Sequence, residues 1–144
     1  LLDRWFDITL PFTMAGAVVA ATFVALPFYV MTVEGALRTM GDDLEQMAGT
    51  LGTPPLTVLR RITLPRLLPA MGAGLALAWA RALGEFGATI TFAGNLPGST
   101  RTLPLATFQA LESDPEAALA LSLVLLAVSL VVLLPTRDRW LPTR

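Results

Sequence analysis

The chain has 144 residues and a formal net charge of -1 at pH 7, and 54% of its residues are hydrophobic while only 15% are charged. A soluble domain of this size needs more charge at its surface, so the composition indicates a membrane protein. The small net charge argues against nucleic acid as a partner. The ten basic residues are all arginine, and the chain contains neither Cys nor His. It therefore lacks a thiol nucleophile, a disulfide, a Cys/His metal site and an imidazole base. We therefore predict no catalytic residue, no metal and no cofactor.

Three apolar segments predict an all-α membrane protein with three transmembrane helices. Residues 11–33 carry no charge, and at about 1.5 Å per residue they would extend roughly 34 Å, which is enough to cross a bilayer. The second span is predicted over residues 67–93, because its uncharged part alone is too short, and it therefore includes Arg81 and Glu85. Residues 116–135 form the predicted third span.

The placement of the arginines predicts the orientation in the membrane. Seven arginines follow the first or the third span, whereas Arg4 and Arg101 fall on the other side. By the positive-inside rule, the 42–66 segment and the C-terminus lie in the cytoplasm and the 94–114 loop is external. Because the chain begins with LLDRWF rather than Met, we expect residues 1–144 to be the C-terminal part of a longer multi-pass protein of the inner (plasma) membrane.

The 42–66 segment has the pattern of a helix-turn-helix joined at a glycine. Asp42 and Asp43 suit the start of a helix, where carboxylates interact well with the helix dipole. The apolar residues that follow recur at helical spacing: Leu44, Met47, Ala48 and Leu51. Gly52 follows, where a left-handed residue can turn the chain sharply. Thr53 is expected to cap a second helix with Pro54 at its first position, and Pro65 to end that helix before the next span.

Periodicity alone leaves two interpretations of this segment open. It could lie on the inner leaflet with its arginines on lipid phosphates, or it could dock on another protein. Both need one apolar stripe, which in the second helix consists of Leu56, Leu59 and Ile62 or Thr63.

The spacing within this segment resembles the cytoplasmic signature of ABC importer permeases. The family pattern runs Glu-Ala-Ala, three residues, Gly, nine residues and Ile-x-Leu-Pro. Here Gln46-Met47-Ala48 precedes Gly52 and Ile62-Thr63-Leu64-Pro65 in the same register, with Gln46 at the usual Glu position and Glu45 one residue earlier. The resemblance implies a coupling insert that docks on a cytoplasmic ATPase and passes its motion to the membrane helices. The residues implied in this coupling are Glu45, Gln46, Ala48, Gly52, Leu56, Leu59, Arg60, Ile62 and Pro65.

The stretch from Arg81 to Leu111 resembles molybdate and sulfate permeases, and "GEFGATITF" followed by "NLPGSTRTLP" is closer to the molybdate branch. The resemblance implies a type I permease fold that imports molybdate or tungstate by alternating access, with ATP hydrolysed by a partner subunit. The implied partners are that ATPase, a second permease chain in a homodimer, an external solute-binding protein, the oxyanion and membrane lipid. The alternatives are a sulfate or thiosulfate permease, and a channel or structural membrane subunit that does not depend on ATP.

Arg81 and Glu85 are four residues apart and share a face of the predicted second span, with Gly84 and Gly87 beside them. Ionisable residues within a membrane segment are usually functional. In one interpretation Arg81 lines the translocation path, because its planar donor fork suits a tetrahedral oxyanion. We favour the other, a neutralised buried ion pair that ties the span to neighbouring helices, because a free carboxylate would repel the anion.

Overall fold

The computed structural model describes residues 10–137, which form helices joined by short turns. Arg4, Arg139 and Arg144 are among the arginines on which the predicted orientation depends, and they lie outside these residues. The helices are α1 (Met14–Thr39), α2 (Asp43–Thr50), α3 (Pro55–Leu83), α4 (Gly87–Ala93), α5 (Leu103–Ser113) and α6 (Pro115–Arg137). No strand occurs within residues 10–137, and the predicted all-α class is confirmed.

Three of these helices, α1, α3 and α6, are long and apolar enough to cross a membrane, as the sequence predicts. The first begins at Met14, where the Thr13 hydroxyl accepts a hydrogen bond from the Gly16 N–H at 3.1 Å and so satisfies one of the free donors of the first turn. It runs past residue 33 to Thr39 and contains Pro27. Its membrane-crossing part is therefore followed directly by a helical extension toward the insert.

The second long helix differs from the predicted span at both of its ends. Pro65 was expected to end the helix of the insert, but α3 runs from Pro55 through Pro65 to Leu83 with a π-helical turn at Leu59–Thr63. A proline inside a helix has no backbone N–H to donate to the carbonyl four residues earlier, and its ring crowds that carbonyl. The wider π turn, which the Leu64 N–H closes onto the Leu59 carbonyl, makes room for that ring while the helix continues.

The single helix expected over residues 67–93 is interrupted. Residue 84 is the C-cap of α3, and a separate helix, α4, begins at Gly87. The Glu85 carboxylate accepts a hydrogen bond from the Ala88 N–H at 2.9 Å, which supplies a partner for a backbone donor at the start of α4. The break therefore falls where a side chain can satisfy the backbone.

Small residues let α3 approach α1 closely. A Cβ placed on Gly74 would lie 3.2 Å from both the Thr32 Cβ and a ring carbon of Tyr29. The buried residues of α1 and of the Leu64–Leu83 part of α3 are almost all Ala or Gly: Gly16, Ala17, Ala20, Ala25, Leu67, Ala73, Gly74 and Ala76. The close approach of the two spans thus depends on small residues such as Gly74, against which the Thr32 and Tyr29 side chains of α1 pack.

The 94–114 segment is not simply a loop, because it contains the 11-residue helix α5. This helix packs against α6, and the two are joined at Asp114, whose Oδ1 accepts the Ala117 N–H at 3.1 Å. The Phe86 and Phe108 rings meet at 5.0 Å between centroids, so α5 also contacts the turn before α4. Sequence reasoning missed this helix because its apolar residues do not form a strong one-sided stripe.

Candidate coupling site and buried ion pair

The insert between α1 and α3 has the predicted order of helix, glycine turn and helix. Asp42 is the N-cap of α2, and Asp43 and Glu45 lie in its first turn, where carboxylates suit the positive end of the helix dipole. Gly52 has φ +76°, and the Thr53 N–H returns to the Ala48 carbonyl at 3.1 Å. The left-handed conformation expected at Gly52 is confirmed, since only glycine adopts it without strain.

The start of the second insert helix is displaced by one residue from the prediction. Its N-cap is Pro54 rather than Thr53, and its first helical residue is Pro55. Pro54 has an extended backbone with ψ 141°, because a residue that precedes proline is kept out of the helical region. Thr53 makes no side-chain cap here.

Several large apolar residues of the insert are exposed. No residue of α2 is buried, and Leu51 at the turn is 85% exposed. We define the coupling surface as the exposed apolar side chains Leu44, Met47, Leu51, Leu56 and Leu59. Several exposed large apolar side chains within one short segment are typical of a surface that another protein or a membrane covers.

The other residues that the sequence implicates in coupling are placed differently from one another. Gln46, Arg60 and Pro65 are exposed, whereas Ala48 and Ile62 are half-buried. Glu45 faces its own chain, because its Oε1 accepts a hydrogen bond from the Thr63 hydroxyl at 2.6 Å, and Thr63 is buried. Sequence spacing gave no signal for this pair, whose members are eighteen residues apart.

A second polar contact joins the base of the insert to α1. The Arg66 guanidinium donates to the Met40 carbonyl at 3.0 Å, and so satisfies one of the free acceptors at the end of that helix. Between α1, α2 and α3 lies a cleft of about 380 Å³, which Glu45 and Thr63 help to line. Two polar contacts, Glu45 to Thr63 and Arg66 to Met40, thus join parts of the insert and α1 beside an open cleft.

The Arg81 and Glu85 side chains form an ion pair with 2.7 Å between Nη1 and Oε2. They do not share a continuous helix face, because Glu85 lies in the break between α3 and α4. The Glu85 side chain is only 7% exposed while that of Arg81 is 38% exposed, and the Arg81 guanidinium lies 5.8 Å from the centre of the Phe28 ring of α1. The pair thus connects α1, α3 and the start of α4.

The two glycines beside this pair have different surroundings. A Cβ on Gly87 would meet the Glu85 Oε1 at 3.9 Å, and one on Gly84 would meet only backbone of its own last turn, at 3.9 and 4.0 Å. Neither position therefore requires glycine through close helix contact. The glycine that does so is Gly74, closer to the middle of α3.

A tight polar turn follows α4, within the stretch NLPGSTRTLP. The Leu96 carbonyl accepts three backbone N–H groups, from Ser99, Thr100 and Arg101. The Arg101 Nε donates to the Asn95 Oδ1 at 3.0 Å, and Gly98 takes φ +71°. The turn is therefore held by its own hydrogen bonds rather than by apolar packing.

Residues 3–137 match the family model described as binding-protein-dependent transport system inner membrane component. The chain belongs to this family. The helix-turn-helix insert carries the spacing that resembles ABC importer permeases. The family match confirms that resemblance and the type I permease fold.

Several curated relatives cover most of the chain. The molybdenum transport system permease protein ModB of Mycobacterium tuberculosis is 54% identical over 93% of this chain and 52% of its own length. The protein of the same name from Escherichia coli is 41% identical over 97% of this chain and 61% of its own length. The sulfate transport system permease protein CysT of Salmonella typhimurium is 44% identical over 89% of this chain and 47% of its own length.

The chain spans about half to three-fifths of the length of the ModB relatives it matches. No solved structure matches the chain at a significant level.

Proposed function

We propose that the chain is part of the permease subunit of an ATP-driven importer for molybdate, or for the similar dianion tungstate. The subunit gives the oxyanion a path by alternating access, and a partner subunit hydrolyses the ATP. The observation that carries this proposal is the coupling surface, a set of exposed apolar side chains on a helix-turn-helix that follows α1 and whose second helix continues into the second span. The molybdenum permease relatives support the choice of substrate.

The coupling surface fits a protein partner better than lipid. Leu44 and Met47 lie on a short helix that Leu51 follows, and the first turn of this helix includes the carboxylates of Asp43 and Glu45. Acidic groups are repelled by an anionic leaflet, whereas a helix that binds membrane lipid is usually rich in basic residues on its polar face. We therefore assign this surface to the cytoplasmic ATPase of the transporter.

This assignment also sets the orientation of the chain. Arg38, Arg60, Arg61 and Arg66 lie at or near the insert, and the positive-inside rule favours the cytoplasm for that end. The insert and the C-terminal end of α6 are then cytoplasmic, and the turn around Gly98 is external, where a solute-binding protein delivers the anion.

A second permease chain is part of the proposal. Large apolar side chains remain exposed along all three long helices, among them Phe23, Leu75 and Leu123. Three spans cannot enclose a path by themselves, so further helices must line it together with these. A homodimer places two copies of the insert opposite two ATPase subunits.

Uptake of labelled molybdate by cells that carry the whole transporter tests the proposed function. We expect uptake at trace concentration to persist in excess sulfate, to be reduced by tungstate and to disappear when the ATPase subunit is removed. Uptake that is unchanged without the ATPase would contradict the proposal and would point to a channel or a structural role.

Sulfate is the second candidate substrate, and one observation favours it. The Salmonella sulfate permease is 44% identical over 89% of the chain, a level similar to that of the Escherichia coli molybdenum permease. In the same experiment, uptake of labelled sulfate with no effect of molybdate would move the chain to the sulfate branch.

A further inference from the structure

Helix α2 has little to hold it in place against the rest of the molecule. None of its residues is buried, so apolar burial contributes little to fixing its position. Within residues 10–137, the bond from the Thr63 hydroxyl to the Glu45 carboxylate is the one side-chain hydrogen bond that joins α2 to another helix. The position of α2 relative to the second span therefore depends strongly on this contact.

The bond has the geometry of a strong interaction. Its length of 2.6 Å is within the range for a hydroxyl that donates to a carboxylate. Thr63 is 7% exposed, so water competes little for its hydroxyl. Glu45 forms no ion pair within the described part of the chain, which leaves the hydroxyl as the side-chain partner of its Oε1.

The bond also sits where the insert joins the membrane helix. Thr63 is the last residue of the π turn, and the 20-residue segment Leu64–Leu83 follows it directly. The cleft of about 380 Å³ beside Glu45 and Thr63 leaves space in which α2 can shift when the bond is absent. π turns inside helices occur frequently at functional sites.

We propose that Glu45 and Thr63 are positioning residues, whose hydrogen bond makes α2 and the second span move together. This rests on the proposed function, since the motion to be passed on comes from the ATPase. The carboxylate of Glu45 thus has its role inside the chain, and the contact with the ATPase is left to the coupling surface and to the exposed Gln46.

Matched substitutions in the complete, reconstituted transporter test this proposal. Thr63→Val and Glu45→Ala remove the donor and the acceptor, whereas Thr63→Ser and Glu45→Gln each keep a group that can make the bond. The readouts are the amount of ATPase that copurifies and the molybdate taken up per ATP hydrolysed. We expect the first two variants to retain the ATPase but to lose about tenfold in uptake per ATP, the order of magnitude for one hydrogen bond to a charged group.

The conservative variants separate this proposal from its competitors. Thr63→Ser should stay within about twofold of the unmodified transporter, because the bond to the carboxylate is kept, and Glu45→Gln should lose less than Glu45→Ala, because its amide oxygen still accepts a weaker, neutral bond. Loss of the ATPase in Glu45→Gln would show that the carboxylate itself docks on the partner, and would overturn the proposal. Equal impairment of Thr63→Val and Thr63→Ser would overturn it as well, since the hydroxyl would then not matter.

A distance measurement tests the same bond without the ATPase. The chain contains no cysteine, so spin labels can be attached at introduced cysteines in place of Thr50 on α2 and Leu68 on α3, both exposed. We expect a narrow distance distribution in the parent and in Thr63→Ser, and a broader one in Thr63→Val. Equal widths would overturn the proposal while leaving the proposed function intact. Failure of the proposed function would instead appear as an unmodified permease that retains no ATPase.

Discussion

Glu85 divides its two carboxylate oxygens between Arg81 and the backbone of the next helix. Oε2 lies 2.7 Å from the Arg81 Nη1, and Oε1 accepts the Ala88 N–H at 2.9 Å. A carboxylate whose two oxygens already have partners, and whose side chain is only 7% exposed, is poorly placed to contact a passing anion. The arrangement favours a structural role for the pair, which holds the break between α3 and α4.

The first prediction follows from the unequal burial of these two side chains. Arg81→Ala leaves the Glu85 carboxylate buried without its cation, and we expect a loss of roughly 1–3 kcal/mol in stability. The double variant Arg81→Ala/Glu85→Gln should be more stable than Arg81→Ala alone, since the amide is neutral and its oxygen can still accept from Ala88. Thermal denaturation of the detergent-solubilised permease measures both. Normal stability of Arg81→Ala together with lost transport would instead place Arg81 on the anion path.

The second prediction concerns Gly52. A Cβ at this position meets nothing within 4 Å, but φ is +76°, so a substitution acts through backbone strain and not through a clash. Gly52→Val should cost about 1–3 kcal/mol in the native turn, displace α2 relative to α3 and reduce ATPase copurification by roughly thirtyfold if 2 kcal/mol is lost from binding. Insertion into the membrane should be normal.

Gly52→Asn is the control for this variant, because asparagine tolerates the left-handed region better than valine does. It should retain most of the ATPase. Full retention by Gly52→Val would mean that the turn geometry does not matter for docking, and would favour the lipid-surface interpretation of the insert.

The third prediction tests the coupling surface through its most exposed member. Leu51→Gln removes an apolar contact at the turn and should weaken ATPase copurification by tenfold or more, if about 1.4 kcal/mol or more is lost. Leu111→Gln on α5 is the matched control, because Leu111 is also an exposed leucine, 63% against 85% for Leu51, but lies far along the chain from the insert. Equal ATPase retention in both variants would count against the assigned surface.

The fourth prediction concerns the contact between the first two spans. Gly74→Val places atoms against Thr32 and Tyr29, where even a Cβ would be 3.2 Å away, and should lower stability by about 1–3 kcal/mol. Gly72→Val meets nothing within 4 Å and should change stability by less than about 0.5 kcal/mol. A comparison of the two melting temperatures in detergent decides the point, and similar values would show that the close approach at Gly74 contributes little.

Hydropathy and turn chemistry were enough to predict the three long helices and the left-handed Gly52, because both depend on local sequence. The break at residues 84–86 was not predicted, since it depends on a hydrogen bond from Ala88 to a carboxylate that was assigned to a continuous helix. Pro65 was mispredicted for a similar reason. From the sequence alone a proline indicates a helix end, and the π turn that accommodates it here is not visible in the sequence. The Glu45–Thr63 bond joins residues that only the folded insert brings together, so no periodicity could reveal it.

The π turn has a geometric consequence for the whole helix that contains it. It adds one residue to a turn, and one residue corresponds to a rotation of about 100° around an α-helix axis. The side of α3 that carries Leu56 and Leu59 is therefore rotated by that angle, relative to an uninterrupted helix, from the side that packs Gly74 against α1. The direction in which Leu56 and Leu59 point is therefore independent of the contact between α3 and α1. Deletion of one residue from the π turn would rotate these two leucines around the helix axis, while Gly74 would keep its position against α1.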